Sequence, residues 1–173
     1  MKIVDSLYQY DLQMLLWCNR SRQKTLHCTL AKSISKTGDG FLQVLLPFTL
    51  LLVGPANSLD YFYHTALAFA VQMPLYWFLK NSLQRRRPPE VIPTFESIIT
   101  AADKFSFPSG HSSAAFLLAN ITFIFYGAVA WPLYVWATLV ALSRVALGVH
   151  FPTDILAGAL LGTATAFLIC FAI

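Results

Sequence analysis

Residues 112–143 have the sequence SSAAFLLANITFIFYGAVAWPLYVWATLVALS, and no side chain in this stretch is charged. As one straight helix the stretch would be about 48 Å long, which exceeds the ~30 Å hydrocarbon core of a bilayer. Gly127 and the Trp131-Pro132 pair are typical of a turn. We therefore predict a helical hairpin within a membrane, with one helix over about 109–127 and the other over about 131–148.

The composition of the whole chain agrees with a membrane location. The protein has 173 residues, of which 57% are hydrophobic and only 12% are charged, whereas roughly 25% of residues are charged in soluble domains. Its mean hydropathy is +0.60. Because helices satisfy their own backbone hydrogen bonds in lipid, we predict an all-α polytopic membrane bundle. The expected partners are the bilayer and a membrane lipid, with no nucleic acid, and the sequence does not define an oligomeric state.

Three further apolar runs flank the hairpin. Residues 41–56 form a short run, which we extend back towards Lys36, and residues 61–79 form a second. Residues 155–173 form the last. A span needs ~20 predominantly apolar residues, so these runs and the hairpin together predict about five transmembrane helices.

The N-terminal part of the chain is more polar. Residues 1–20 carry an apolar stripe and a polar stripe at helical spacing, which predicts an amphipathic helix lying in the membrane interface. Residues 20–40 are basic and end in a turn, and we interpret them as a polar lead-in. We accordingly divide the chain into residues 1–35 and a membrane-embedded domain over residues 36–173.

The charged residues gather on one side of the predicted bundle. Two spans return the chain to the side where it began, so three clusters share one membrane face: Lys80 to Pro88, Pro108 to His111, and Ser143 to Asp154. By this count every Lys and Arg lies on that face, and the opposite loops hold only Asp60. Ionisable groups are costly in a membrane, and their presence there indicates function by default.

The basic residues of these clusters suit a phosphate group. Lys80, Arg87 and Arg144 can surround a phosphate ester, whose charge is spread over its non-bridging oxygens in the transition state. The alternative is that basic side chains anchor helix ends at the membrane surface, and this explanation suffices for Arg85 and Arg86. It is weaker for Arg144, which follows the long uncharged run.

The second cluster lies at a predicted helix start. Ser109 is suited to cap that helix, and Gly110 lets the backbone approach a phosphate closely. The free N–H groups of a helix start attract anions, which would hold the bound group next to His111. The alternative is a capped helix with an incidental histidine.

The third cluster pairs a histidine with a carboxylate. His150 and Asp154 are four residues apart and can touch if the intervening turn is helix-like. A carboxylate on one ring nitrogen fixes the tautomer and raises the basicity of the other nitrogen, as a nucleophile and its orienting group require. The alternative is a structural cap at a helix entrance.

No cofactor is expected. The cysteines Cys18, Cys28 and Cys170 form no C-x-x-C pair, and no Cys, His or Asp arrangement has metal-ligand spacing. A Gly-rich nucleotide loop is also missing from the sequence. We therefore predict a site that uses neither a metal nor a nucleotide.

Taken together, the three clusters resemble the motifs of a known family. K-x6-R-P at Lys80 to Pro88, P-S-G-H at Pro108 to His111 and S-R-x5-H-x3-D at Ser143 to Asp154 resemble the type 2 phosphatidic acid phosphatase superfamily. The resemblance covers residues from about 36 to 173. Many bacterial members have six spans, whereas we count five, and the N-terminal amphipathic helix stands where the first span would be.

The resemblance also implies a role for each motif residue. His150 would be the nucleophile that forms a phosphohistidine, Asp154 would orient it, and His111 would protonate the leaving oxygen. The residues that would bind the phosphate are Lys80, Arg87, Ser109, Gly110 and Arg144. Members of the family need no metal.

We predict a metal-independent phosphatase acting on a lipid phosphate or diphosphate. The candidate substrates are phosphatidylglycerophosphate, undecaprenyl diphosphate, phosphatidate and lipid A phosphate, and the sequence does not choose among them. Two other classes stay open. A small membrane transporter with a basic vestibule would need polar residues deep in the spans, where Gln43, Gln72, Asn120 and a few hydroxyls are the main ones. A catalytically silent scaffold would not need both histidines together with the aspartate.

Two arguments place the clusters on opposite sides of the membrane. We expect a multi-pass protein of a bacterial inner membrane. The positive-inside rule puts the clustered basic residues in the cytoplasm, whereas the family resemblance implies the periplasmic face. We favour the periplasmic face because the motif cations serve phosphate. The basic residues that support the opposite side are Arg20, Arg22, Lys24, Lys32 and Lys36.

Overall fold

The computed structural model describes residues 2–19 and 25–172, and the regular elements within these ranges are helices. They are α1 (Lys2–Asn19), α2 (Thr25–Thr37), α3 (Phe41–Val53), α4 (Ser58–Leu83), α5 (Pro88–Val91), α6 (Gly110–Tyr126), α7 (Trp131–Ala146) and α8 (Pro152–Ala172), with a 3₁₀ turn at Gly127–Ala130. The predicted all-α class is confirmed.

The uncharged stretch folds back on itself, as predicted. Gly127 has a φ of 65°, a left-handed conformation that ends α6 and begins the turn to α7. Tyr134 Oη donates to Asn120 Oδ1 at 2.9 Å across the hairpin. Ala115 and Val140 belong to one buried cluster, although a straight helix would hold them about 37 Å apart.

Close packing of α8 on α6 brings their starts together. A Cβ atom added at Gly158 would lie 2.4 Å from the carbonyl oxygen of Ser109, and one added at Gly162 would lie 2.1 Å from that of Ser113. Only glycine allows such an approach of the two backbones. At the same end, the Ser109 amide donates to the Asp154 carbonyl at 3.0 Å, so the second and third clusters meet where these helices begin.

The apolar helices identify a membrane protein. By length and composition, the segments Gly110–Ala146 and Pro152–Ala172 can cross a membrane, and the first of them is the α6–α7 hairpin. A third span is added if Leu26–Thr37 and Phe41–Val53, which are bent by 46° at the break between them, count as one.

The segment before α3 differs from its prediction. What we interpreted as a polar lead-in is helical over Thr25–Thr37, and the chain turns at residues 38–40 before α3 begins. Gly40 has a φ of 110°, which a continuous helix cannot contain. The extension of the first apolar run back to Lys36 as one helix is therefore wrong. The boundary predicted between residues 35 and 36 lies inside α2.

The Arg- and Pro-rich segment that follows α4 is partly ordered as a helix. α4 continues to Leu83 before the chain leaves it at Gln84, and Pro88–Val91 form the short α5. Pro88 is the first residue of α5, where a missing N–H group costs nothing.

The N-terminal helix buries an acidic residue. Tyr10, Met14 and Trp17 are 49–67% exposed, as expected for an apolar stripe that faces a membrane interface. The opposite side of α1 packs on the rest of the protein, with Leu15 fully buried and Asp11 3% exposed. That buried aspartate has a specific partner in the site.

Candidate active site

Backbone and side-chain hydrogen bonds join the three sequence clusters. Arg87 Nη1, in the first cluster, donates to the carbonyl of Val149, in the third, at 2.6 Å. The Ser109 amide of the second cluster donates to the Asp154 carbonyl of the third. The structure thus brings together the three clusters that were predicted to share one membrane face. They meet through helix ends and the loops beside them.

The first cluster forms a pair of cations around a carboxylate. Lys80 lies in the last turn of α4 and Arg87 at the N-cap of α5, and both are nearly buried, at 5% and 7% exposure. Both form salt bridges with Asp103, one with each oxygen of its carboxylate. Tyr76 Oη also donates to Asp103, at 2.7 Å. An anion is therefore accommodated at the position where phosphate binding was predicted.

Asp103 is charged in this environment. Its partial burial raises the pKa, but hydrogen bonds from Lys80 and Tyr76 and the charges of Lys80 and Arg87 outweigh burial and lower the pKa to about 2. Sequence reasoning missed Asp103 because it lies in an irregular loop, outside the three motifs.

The second cluster caps α6 as predicted. Ser109 is the N-cap, and its Oγ accepts from the Ser112 amide at 3.5 Å. Gly110 lies against the Tyr76 ring, where an added Cβ atom would come within 3.0 Å. His111 Nε2 lies 2.8 Å from Asp39 Oδ1, and the His111 side chain is 27% exposed. Asp39 lies in the turn before α3, and its contact with His111 is a second carboxylate contact that the sequence analysis did not predict.

The third cluster is buried. His150 lies in the loop between α7 and α8 and is 2% exposed. Its Nδ1 is 3.6 Å from Asp154 Oδ2, an ion-pair separation that is too long for a hydrogen bond, and Nδ1 has no hydrogen-bond partner among the described residues. Arg144 donates through Nη1 to Ser35 Oγ at 2.6 Å, while its buried Nε has no partner in the same ranges.

Burial keeps His150 neutral. It lowers the pKa of the imidazole to about 4 even though Asp154 favours the charged form, and the nearby guanidinium groups of Arg87 and Arg144 lower it further. A neutral imidazole retains a lone pair on one nitrogen. Because Nδ1 faces Asp154, the nitrogen available for reaction is Nε2.

Asp154 is held by two donors besides its contact with His150. Its Oδ2 accepts from the Phe151 amide at 2.8 Å, and its Oδ1 accepts from Arg85 Nη1 at 2.7 Å. Anchoring at the membrane surface is therefore the wrong interpretation of Arg85, because its guanidinium binds the buried carboxylates of Asp154 and Asp11. Arg86 is exposed, which agrees with anchoring.

A largely apolar cavity of about 760 Å³ extends from His111 along α3 and α4. Asp39, Tyr76 and His111 line its polar end, and Phe48, Phe62 and Phe69 are among the aromatic residues farther along. Such a cavity can hold an apolar chain whose polar end lies next to His111. In the described ranges, no group of three or more His, Cys, Asp or Glu residues could hold a metal ion.

Comparison with known families and proteins agrees with the motif resemblance. A family model described as "PAP2 superfamily" matches residues 58–172. The chain is 31% identical over 106 residues to the "Bacitracin transport permease protein BcrC" of Bacillus licheniformis, covering 61% of this chain and 52% of that protein. It is 37% identical over 114 residues to "Phosphatidylglycerophosphatase B" of Bacillus subtilis, covering 60% and 53%. The chain thus spans about half the length of these two relatives.

Solved structures share the fold. The crystal structure of Aquifex aeolicus LpxE aligns with a TM-score of 0.77 at 24% identity, covering 92% of this chain and 93% of that one. The PAP2-type phosphatidylglycerolphosphate phosphatase of Bacillus subtilis aligns with a TM-score of 0.62, also at 24% identity, covering 98% and 95%. The helical arrangement is therefore common to these proteins along nearly the whole chain.

Proposed function

The chain belongs to the PAP2 superfamily, and on this premise we propose that it is an integral membrane phosphatase that hydrolyses a lipid phosphate or diphosphate. We further propose that the reaction passes through a phosphohistidine on His150. The observation that carries the proposal is a buried, neutral histidine whose Nδ1 faces a carboxylate 3.6 Å away, beside two arginines. This combination suits a nucleophile, and a purely structural histidine would not need it.

The proposed first step transfers the phosphoryl group to His150. Nε2 attacks phosphorus, the bond between phosphorus and the lipid oxygen breaks, and His111 donates a proton to that oxygen. The positive charge that develops on the His150 ring is stabilised by Asp154, whose Oδ2 needs to approach Nδ1 by only about 0.4 Å to accept a hydrogen bond. Water then attacks phosphorus, the P–N bond breaks, and His111 recovers its proton from that water.

Phosphate binding in this scheme falls to the residues that the motifs identified. Lys80, Arg87 and Arg144 neutralise the phosphoryl oxygens, and the Gly110 amide, beside the N-cap residue Ser109, presents the positive end of α6 to the same group. Because Asp103 binds Lys80 and Arg87 in the free protein, an incoming phosphate must take its place. Asp103 is 40% exposed and lies in a loop, which leaves it room to withdraw.

The cavity supports a substrate with a long apolar tail. Its polar end includes His111, and its walls along α3 and α4 are mostly apolar. Phosphatidate, phosphatidylglycerophosphate, undecaprenyl diphosphate and lipid A phosphate each combine a phosphate with such a tail. The name of the Bacillus subtilis relative agrees with this class, since that protein is called a phosphatidylglycerophosphatase.

We also propose five membrane spans, formed by α3, α4, α6, α7 and α8, in a bacterial inner membrane. The clusters then share one face, for which we favour the periplasmic side. The basic residues Arg20, Arg22 and Lys24, which argue for the cytoplasmic side, lie outside the described residues. Modification of a single cysteine placed in the loop of residues 92–107 with a membrane-impermeant thiol reagent, in intact cells and after lysis, tests this orientation.

The experiment that tests the activity is phosphate release by the purified protein from a panel of the four candidate lipids, with and without vanadate and EDTA. We expect hydrolysis that vanadate inhibits and EDTA leaves intact, because the cations of the site already neutralise phosphate charge. Loss of activity in EDTA that magnesium restores would contradict metal independence. The transport function suggested by the name of the Bacillus licheniformis relative predicts instead no hydrolysis of any lipid in the panel.

A further inference from the structure

Asp11 connects the N-terminal helix to the site. This residue lies on α1, outside the region that the family model matches, and its side chain is 3% exposed. Its Oδ2 accepts from Arg85 Nη2 at 2.6 Å, and its Oδ1 accepts from the amide of Thr153 at 2.9 Å. The hydroxyl of Thr153 also donates to Asp11. A carboxylate from the N-terminal helix thus binds both the loop after α4 and the first turn of α8.

Arg85 transmits this contact to the proposed catalytic pair. Its Nη1 donates to Asp154 Oδ1 at 2.7 Å and to Thr153 Oγ1 at 2.6 Å, while Nη2 binds Asp11. The guanidinium also lies 4.3 Å from the centre of the Phe151 ring. It therefore has a defined position, set by two carboxylates and an aromatic face, and it fixes the Oδ1 side of Asp154.

The charge balance gives Asp11 a second effect. Arg85 lies between two carboxylates, so its single positive charge is shared between Asp11 and Asp154. Without the charge of Asp11, the whole guanidinium charge would be available to Asp154, and that carboxylate would stabilise a positive His150 ring less well. An aspartate buried in a helix–protein contact is costly compared with an apolar residue such as its neighbour Leu15, so packing alone does not account for it.

We infer that Asp11 is a positioning residue for the reaction, acting through Arg85 and Thr153 to fix the place and charge of Asp154 opposite His150. The N-terminal helix is then part of the catalytic unit. The inference rests on the proposed function, because it assumes that Asp154 serves His150. It predicts that loss of Asp11 slows the chemical step while substrate binding stays nearly unchanged.

The test compares Asp11→Asn, Arg85→Gln and the double variant in the purified full-length protein. The substrate is the one that wild type hydrolyses fastest among the four candidate lipids, which are phosphatidate, phosphatidylglycerophosphate, undecaprenyl diphosphate and lipid A phosphate. We expect Asp11→Asn to lower kcat about tenfold with KM changed less than about twofold. Because Asp11 acts through Arg85, the double variant should lose no more than the worse single variant. Asp11→Glu, which keeps the charge, should recover part of the rate.

A matched control separates positioning from docking of α1. Asn19 lies on the same helix and donates through Nδ2 to the Val145 carbonyl at 3.2 Å, without touching Arg85 or Asp154. Asn19→Ala should therefore leave kcat within about twofold of wild type. Should Asp11→Asn fail to elute from size-exclusion chromatography as wild type does, Thr153→Val takes its place, since it removes one partner of Asp11 and no charge, and kcat should again fall.

Each outcome decides the inference. Normal kcat in folded Asp11→Asn or Thr153→Val, additive losses in the double variant, or an equal loss in Asn19→Ala would each overturn it while the wild-type activity still stood. A wild-type protein that hydrolyses none of the four candidate lipids would instead refute the proposed function, and the inference with it.

Discussion

The carboxylates around the site fall into two groups that differ in exposure. Asp39 and Asp103, on the side of His111, are 46% and 40% exposed and lie in a turn and a loop. Asp154 and Asp11, on the side of His150, are 0% and 3% exposed and lie in the first turn of α8 and in α1. The exposed pair can be displaced or can exchange protons with solvent, whereas the buried pair has fixed partners.

The two environments imply different roles for His150 and His111. On the buried side, burial leaves His150 neutral in the free protein. The fixed carboxylate of Asp154 can then stabilise the positive charge that develops on the His150 ring during the reaction. On the exposed side, His111 lines the cavity and holds a hydrogen bond to a carboxylate that water can reach. We therefore expect substitutions on the buried side to act on kcat for every substrate, and those on the exposed side to depend on the substrate.

The largest effect is expected at His150. His150→Ala should lower turnover at least about 10³-fold, because no other group can accept the phosphoryl group. The protein should still insert and elute normally. His64, whose Nδ1 bonds to the Asp60 carbonyl away from the site, offers the matched control, and His64→Ala should keep wild-type turnover. Ordinary activity in His150→Ala would remove the nucleophile assignment.

The next effect should depend on the leaving group. A lipid monophosphate leaves an alkoxide that needs a proton, and a positioned acid typically gives 10²–10⁴-fold, whereas a diphosphate leaves as a phosphate that needs it much less. His111→Ala should therefore damage hydrolysis of phosphatidate far more than that of undecaprenyl diphosphate. The measurement is the ratio of the two turnover rates in wild type and variant. An equal loss on both substrates would assign His111 to phosphate binding.

A smaller loss is expected from the buried carboxylate. Asp154→Asn keeps the size of the side chain but removes its charge, and we expect kcat to fall by roughly 10–100-fold, since an orienting group tunes a nucleophile without replacing it. Turnover of this variant should exceed that of His150→Ala under the same conditions. A folded Asp154→Asn protein that is as inactive as His150→Ala would indicate another role for Asp154.

The smallest effect is expected from the exposed carboxylate, and it has the opposite sign. Asp103 competes with phosphate for Lys80 and Arg87, so Asp103→Asn should lower KM, and the inhibition constant of vanadate, by a few-fold, in line with the modest worth of partly exposed ion pairs. kcat should change little. Weaker vanadate inhibition in the variant would show that Asp103 supports the cations and does not compete for them.

The sequence predicted the parts of this arrangement that depend on local pattern. The long uncharged run with Gly127 indicated the hairpin, and Ser109 was placed correctly as a helix cap. Lys80, Arg87 and the motif histidines were correctly expected in one region. That expectation depends only on the order of apolar and charged segments along the chain.

The sequence did not reveal the contacts that depend on irregular backbone or long separation. Asp103 and Asp39 lie outside the long helices, and Arg85 pairs with Asp11 across 74 positions of the chain. The helix over Thr25–Thr37 was missed because its residues are polar overall and adjoin a basic stretch. One signal was available: Asp11 lies one helical turn before Leu15 on the same face of α1, and an acid on an apolar face needs a partner.

The most direct test of the central claim is to trap the phosphorylated protein. Wild type and His150→Ala would each be mixed with a lipid labelled with ³²P in its terminal phosphate and quenched in denaturant at alkaline pH within the first turnover. We predict acid-labile, alkali-stable label in wild type that maps by mass spectrometry to the peptide containing His150, and none in the variant. Label on His111, or turnover in wild type with no protein-bound phosphate at any quench time, would contradict the account.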